Sequence, residues 1–168
     1  MIRLAIETAT PFGTVAVGRD GQVLAEIELG AQRRHAEAAL PGIARALEEA
    51  GVARSDIGEI VVGAGPGSFT GVRVAGATAK GLVAALGVPL RAFPSLLALA
   101  AGLGEEPGEE PGEGDGSHDP ARPVCALFDA RRGEVYAGCW RVGPAAAGEL
   151  LAPMVGTVEE VLARTSSH

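Results

Sequence analysis

Apolar and polar positions alternate with a period of two over the first thirty residues, then give way to helical spacing and short apolar runs. Residues 2–7 (Ile-Arg-Leu-Ala-Ile-Glu) and 14–18 (Thr-Val-Ala-Val-Gly) predict a hairpin, with Pro11 and Gly13 in the turn between them. Asp20-Gly21 is a tight-turn dipeptide, and residues 23–29 follow as a third strand with Val23, Ala25, Ile27 and Leu29 on one face. Over residues 34–50, Leu40, Ile43, Ala44 and Leu47 recur at helical spacing, and Gly51 stops the run. Pro41 predicts a start or a kink inside that helix. Residues 59–63 predict a buried strand, 70–86 a helix ended by Gly87, and 90–93 a short strand. A helix over 95–103 follows, with Ser95 as its N-cap.

Residues 104–120 are rich in Glu, Gly and Pro and predict a disordered segment. Beyond it, 123–129 and 134–142 form a hairpin through Ala130-Arg131-Arg132-Gly133. A strand near 149–155 and a short helix capped by Thr157 complete the pattern. Strands first, then alternating helices and strands, give an α/β fold: a mixed sheet with helices packed on it. The expected organisation is a first lobe over 1–103, the acidic loop 104–120, and a second lobe over 121–168.

The stretch Gly63-Ala64-Gly65-Pro66-Gly67-Ser68-Phe69-Thr70-Gly71-Val72-Arg73 carries the most chemistry. A glycine-rich turn from a strand into a helix is built like an anion site, because helix N-terminal amides attract phosphate. The chemistry does not complete, however. A P-loop needs Gly-Lys-Ser/Thr where this chain has Gly71-Val72-Arg73, and Ser68 stands at the third glycine position of a dinucleotide loop. The mismatch points to a binding surface rather than an active site. The helix behind the loop bears only Arg73 and Lys80 as charges and is dominated by small residues. Such a helix is buried on more than one side, by its own sheet or by another chain.

Charge and composition narrow the classes. The net charge of −7 has a local origin: seven acids fall between Glu105 and Asp119, and without them acids and bases are equal in number. No basic face large enough to hold nucleic acid by phosphate contacts is evident, so any service to RNA is expected through a partner. The N-terminus lacks the apolar region and cleavage site of a signal peptide, and no apolar run is long enough for a membrane span; a cytoplasmic protein is expected. Cys125 and Cys139 are accordingly expected as buried free thiols. His35 has Ala39 four residues on, so it lacks the helical partner a metal site would need, and a surface or capping role is expected for it.

Three segments together resemble one family. Leu4-Ala5-Ile6-Glu7-Thr8-Ala9-Thr10, the glycine stretch with its Ala/Gly-rich helix, and Phe128-Asp129-Ala130-Arg131-Arg132-Gly133-Glu134-Val135-Tyr136 are similar to the TsaB (YeaZ) family of tRNA threonylcarbamoyladenosine biosynthesis proteins. The resemblance implies an actin-like ATPase (ribonuclease H-like) fold of two related lobes. Relatives usually continue past residue 168, so the second lobe is expected to be shortened. It implies an accessory subunit with no catalytic residue, no metal and no intrinsic cofactor. This subunit would pair with TsaD, which transfers threonylcarbamoyl to an adenosine of ANN-decoding tRNA, and TsaE would join the complex. ATP or ADP would enter only at an interface shared with TsaD, and tRNA would be met only indirectly.

The implied surface is formed by Leu40, Ile43 and Leu47 with Val72, Ala75, Gly76, Ala79 and Leu82, and would also serve a homodimer. Glu7, Thr8, Gly65, Gly67, Ser68 and Arg73 would be the remnants of phosphate loops. Asp129 and Arg131 flank a turn that either pairs locally or lies at a partner boundary. The alternative is an actin-like ATPase or phosphotransferase using Glu7, Thr8, the glycine loop and a bound magnesium. No residue set for a protease is apparent.

Overall fold

The computed structural model describes residues 1–31, 34–104, 122–143 and 147–165, so the acidic segment and the last three residues lie outside the description. Two compact units divide at Ser95/Leu96. The first contains β1 (Ile2–Glu7), β2 (Phe12–Arg19), β3 (Gln22–Ala31), α1 (His35–Glu49), a single 3-10 turn (Arg54–Asp56), β4 (Ile57–Gly63), α2 (Phe69–Leu86) and β5 (Leu90–Phe93). Its sheet runs β3-β2-β1-β4-β5. β1 is antiparallel to β2 and parallel to β4, and β5 adds parallel to β4. This is the mixed sheet that the pattern predicts.

Period-two alternation decides which face is buried. Leu4, Ile6, Val15, Val17 and Ile60 are fully buried and pack with Ala39, Ile43, Ala46 and Leu47 of α1 and Ala75 and Ala79 of α2. The opposite face carries Arg3, Ala5, Thr14, Ala16 and Glu59 in register. Asp20 and Gly21 both adopt left-handed φ (52° and 89°), which suits the twist of a two-residue hairpin. Val23 departs from expectation. A bulge between Val17 and Gly18 shifts the pairing at the start of β3 and leaves Val23 67% exposed. α1 runs unbroken through Pro41.

The second unit contains α3 (Ser95–Gly104) from Leu96 onward, β6 (Arg122–Arg131), β7 (Glu134–Val142), β8 (Ala147–Gly156) and α4 (Val158–Thr165). Its sheet runs β6-β7-β8. The expected lobe boundary at residue 103 moves back to Ser95, because Leu96 and Ala100 pack with Ala126 and Trp140 of the second sheet. Thr157 caps α4 as expected: Glu160 N donates to its hydroxyl at 3.3 Å, and Thr157 N donates to Glu160 Oε2 at 2.8 Å.

Two side-chain expectations are corrected. Cys125 and Cys139 stand directly opposite one another on β6 and β7 and form a disulfide. Cysteine count and inferred compartment carried no information on that register. His35 is neither on the surface nor idle: it is buried, and its ring fills the space beside Gly13. Its Nε2 lies 3.1 Å from Gly13 N and 3.0 Å from Gly30 O. A lone histidine at the start of a helix can be recruited to satisfy backbone from the sheet beneath it.

Glu59 predicts an acid response. Arg3 and Arg91 each donate to its carboxylate and hold that carboxyl below the ordinary glutamate range. A depressed folded value contributes stability above the ordinary glutamate pKa of about 4.3, and that contribution disappears as pH falls through the folded value. Glu59→Gln should therefore flatten the acid limb of a urea-midpoint-against-pH curve. An unchanged limb would show that the pairs carry no net stability.

Candidate functional site

The two loops that would grip a phosphate close on each other. Gly65 has φ 83°, Gly65–Pro66 is cis, and Ser68 caps α2 by accepting from Gly71 N at 3.2 Å. Ser68 N donates to Ala9 O at 2.7 Å. Thr8, fully buried, donates from Oγ1 to Gly71 O at 2.7 Å. A Cβ on Gly67 would overlap the Ala9 carbonyl oxygen, and one on Gly71 would overlap that of Thr8. These glycines serve close approach between two stretches of this chain.

Glu7 is committed within the same knot. Its Oε1 accepts from Ala9 N at 2.5 Å and its Oε2 from the Ser95 hydroxyl at 2.6 Å. Ser95 Oγ in turn accepts from Gly65 N at 3.0 Å, and Ser95 N donates to Gly65 O at 2.8 Å. The Glu7 carboxylate also fills the place where a Cβ on Gly63 would sit. The Ala9, Gly65 and Ser68 amides are thus spent on Glu7, Ser95 and the Ala9 carbonyl. Removing the carboxylate leaves the Ala9 amide and the Ser95 hydroxyl without their acceptor. Glu7→Ala should cost about 2–3 kcal/mol, read as a lower denaturant midpoint; an unchanged midpoint would mean that the knot does not need its carboxylate.

Arg73 is drawn elsewhere. Its guanidinium lies 5.1 Å above the Phe69 ring, one turn back on α2, and does not join the loop cluster.

The expected helix surface divides in two. Ile43, Leu47, Ala75 and Ala79 are buried in the unit's own core and are corrected: they are not surface residues. At helical spacing one stripe must face the sheet, and these four lie on it. Leu40 is 61% exposed, Gly76 looks onto open space, and Val72 and Leu82 are half-buried. Ala77, Lys80 and Gly81 extend the outward side of α2. In the other unit Asp129 Oδ1 accepts from Arg131 N at 2.7 Å, so the turn does bond locally. Arg131 and Arg132 hold left-handed φ of 70° and 57° there.

The model of the tRNA N6-adenosine threonylcarbamoyltransferase family, TsaD, matches residues 23–166. Curated relatives include the tRNA threonylcarbamoyladenosine biosynthesis protein TsaB of Escherichia coli, 38% identical over 79% of this chain and 52% of the relative. TsaB of Bacillus subtilis is 35% identical over 84% of this chain and 56% of the relative. Among solved structures, YeaZ from Pseudomonas aeruginosa superposes with a TM-score of 0.77 at 35% identity over 92% of this chain and 66% of that one. The chain belongs to the TsaB (YeaZ) family. It has the actin-like fold of that family, and it spans about half the length of the curated TsaB proteins it matches.

Three features of this TsaB-family chain escape sequence reasoning. Ser95 reads as a helix cap, yet its hydroxyl links Glu7 to Gly65; that pairing joins residues 88 apart. Phe69 and Phe12 are exposed aromatics. Glu59 sits among Ile57, Ile60 and Val61 in a strand with two neighbours, and a charge in such a strand could have signalled its need for basic partners.

Proposed function

We propose that this chain is a non-catalytic accessory subunit in tRNA threonylcarbamoyladenosine biosynthesis, acting by binding TsaD and holding it in a competent conformation. TsaE joins through that complex, ANN-decoding tRNA is met through TsaD, and ATP or ADP enters only at a surface shared with TsaD. One observation carries this reading: the two loops that would bind a nucleotide are tied to each other by the chain's own hydrogen bonds, with the Glu7 carboxylate spent in that link. Family membership supplies the pathway. The docking surface is redrawn to the outward side of α1 and α2, with Leu40, Val72, Gly76, Ala77 and Leu82, and it would also serve a homodimer.

Light scattering of the chain alone and mixed with TsaD tests it. A one-to-one complex is expected, and Leu40→Arg, at an exposed position, should abolish it without lowering the thermal midpoint. A chain that ignores TsaD would overturn the reading. Magnesium-dependent ATP binding by the isolated chain, lost in Glu7→Ala, would favour the nucleotide-using enzyme instead.

A further inference from the structure

An ion cluster lies on the sheet face turned away from α1 and α2. Arg3 on β1 and Arg91 on β5 flank Glu59 on β4. Arg3 Nε donates to Glu59 Oε2 at 2.7 Å, and Arg91 Nε donates to Glu59 Oε1 at 3.0 Å. The Glu59 side chain is 4% exposed, whereas Arg3 is 45% and Arg91 71% exposed. The carboxylate is therefore roofed by two guanidinium groups, and each of its oxygens is committed to one of them.

A guanidinium carries five N–H donors in a planar fork. Each arginine uses its ε donor toward Glu59, and each fork has further donors besides it. One carboxylate against two guanidiniums leaves one positive charge. β1 and β5 lie two strand spacings apart, about 10 Å, yet both side chains converge on one carboxylate. The two guanidinium groups therefore lie close together, each at one oxygen of the same carboxylate. The neighbouring charges do not cancel the excess. Asp20 lies near Arg3 as well as Arg19, but its carboxylate is paired with the Met1 ammonium at 2.7 Å. Glu7 is spent in the loop knot. Glu26 and Glu28, on the same sheet face, register with Ala16 and Thr14, on the far side of β1 from Glu59.

We propose that Arg3 and Arg91, held in place by Glu59, form an anion site for a phosphate group, carried either by a small phosphorylated compound or by an RNA backbone. Paired guanidinium forks suit phosphate better than a spherical anion, because donors and oxygens match in geometry as well as charge. Glu59 does not touch the ligand. It pre-positions two long side chains that would otherwise lose rotamer freedom on binding. This proposal does not rest on the accessory-subunit reading, and its RNA outcome would replace the statement there that tRNA is met through TsaD.

The probe is inorganic phosphate, followed through the Nε–Hε resonances of Arg3 and Arg91, with chloride at matched ionic strength as the control. Both signals should move together and saturate with phosphate, and neither should move with chloride. Arg91→Ala should weaken binding about tenfold; it also takes one of two partners from the buried Glu59 carboxylate, so its thermal midpoint falls and binding is read well below that midpoint. Arg91→Lys, which keeps the charge and loses the fork, should restore only part of the affinity. A second arm uses labelled tRNA in an anisotropy assay across salt concentrations. RNA binding that depends on Arg91, with a salt slope lowered by about one in Arg91→Ala, assigns the phosphate to an RNA backbone. Phosphate-induced shifts without Arg91-dependent RNA binding assign it to a small compound. Arginine signals unmoved by phosphate, or moved equally in Arg91→Ala, overturn the proposal.

Discussion

Gly71→Ala should destabilise the first unit by about 3 kcal/mol or more, the upper end of overpacking costs. Local propensity argues the reverse, since alanine outscores glycine in a helix interior by about 1 kcal/mol. Packing decides the sign. The new methyl would overlap the Thr8 carbonyl oxygen and sit 2.8 Å from the Thr8 carbonyl carbon. These are backbone atoms on a fully buried residue whose own hydroxyl is bonded to Gly71 O, so neither stretch can yield alone. Gly76→Ala, five residues along the same helix, is the control: nothing lies within 4 Å of its added methyl, and it should gain about 1 kcal/mol. Denaturant midpoints of the two variants should move in opposite directions. A midpoint for Gly71→Ala at or above that of the parent would show that the two loops are not held together as described.

Ala75→Arg should prevent the first unit from folding. Ala75 is fully buried in the core among strand and helix side chains, and a guanidinium there would be buried without a partner. That cost is comparable with the whole stability of a small domain. Ala77→Arg places the same charge two residues on, at an exposed position, and should change stability by no more than about 0.5 kcal/mol. Soluble yield and a thermal melt separate the two. A cooperative melt for Ala75→Arg near that of the parent would refute the burial of this helix stripe. The distinction matters for any test of partner binding. Loss of binding in Ala75→Arg reports unfolding, whereas loss in Ala77→Arg reports the surface.

Element order was legible because alternation and helical spacing are local. β1 to β3, the Asp20-Gly21 turn and the helix behind the glycine loop follow from positions a few residues apart. The helix surface was only half legible. Spacing identified α1 and α2 as packed helices but could not say which stripe meets the sheet, so Ile43 and Ala75 were grouped with Leu40 and Gly76. The missing lysine set the glycine loop apart from a P-loop in the sequence. The loop's closure by Glu7, Ala9 and Ser95 was not legible there, because that depends on pairings between distant segments. The disulfide and the burial of His35 failed for the same reason. Each rests on strand register or on helix-to-sheet packing, which a single sequence does not encode at any fixed spacing.

The position of β1 in the sheet bears on how fast the chain can organise itself. β1 takes one neighbour from a short hairpin and the other from β4, whose register joins Ile2 to Ile57. The β1–β2–β3 meander can form by closing tight turns. The β4 pairing must wait for α1 and its flanking loops to be gathered in, and the chain entropy of that closure is lost before parallel pairing compensates for it. The glycine loop and the Glu7 knot form only once β4 is docked. The sealed loop is therefore a late product of folding, and any species that stalls before it exposes the apolar side of the meander.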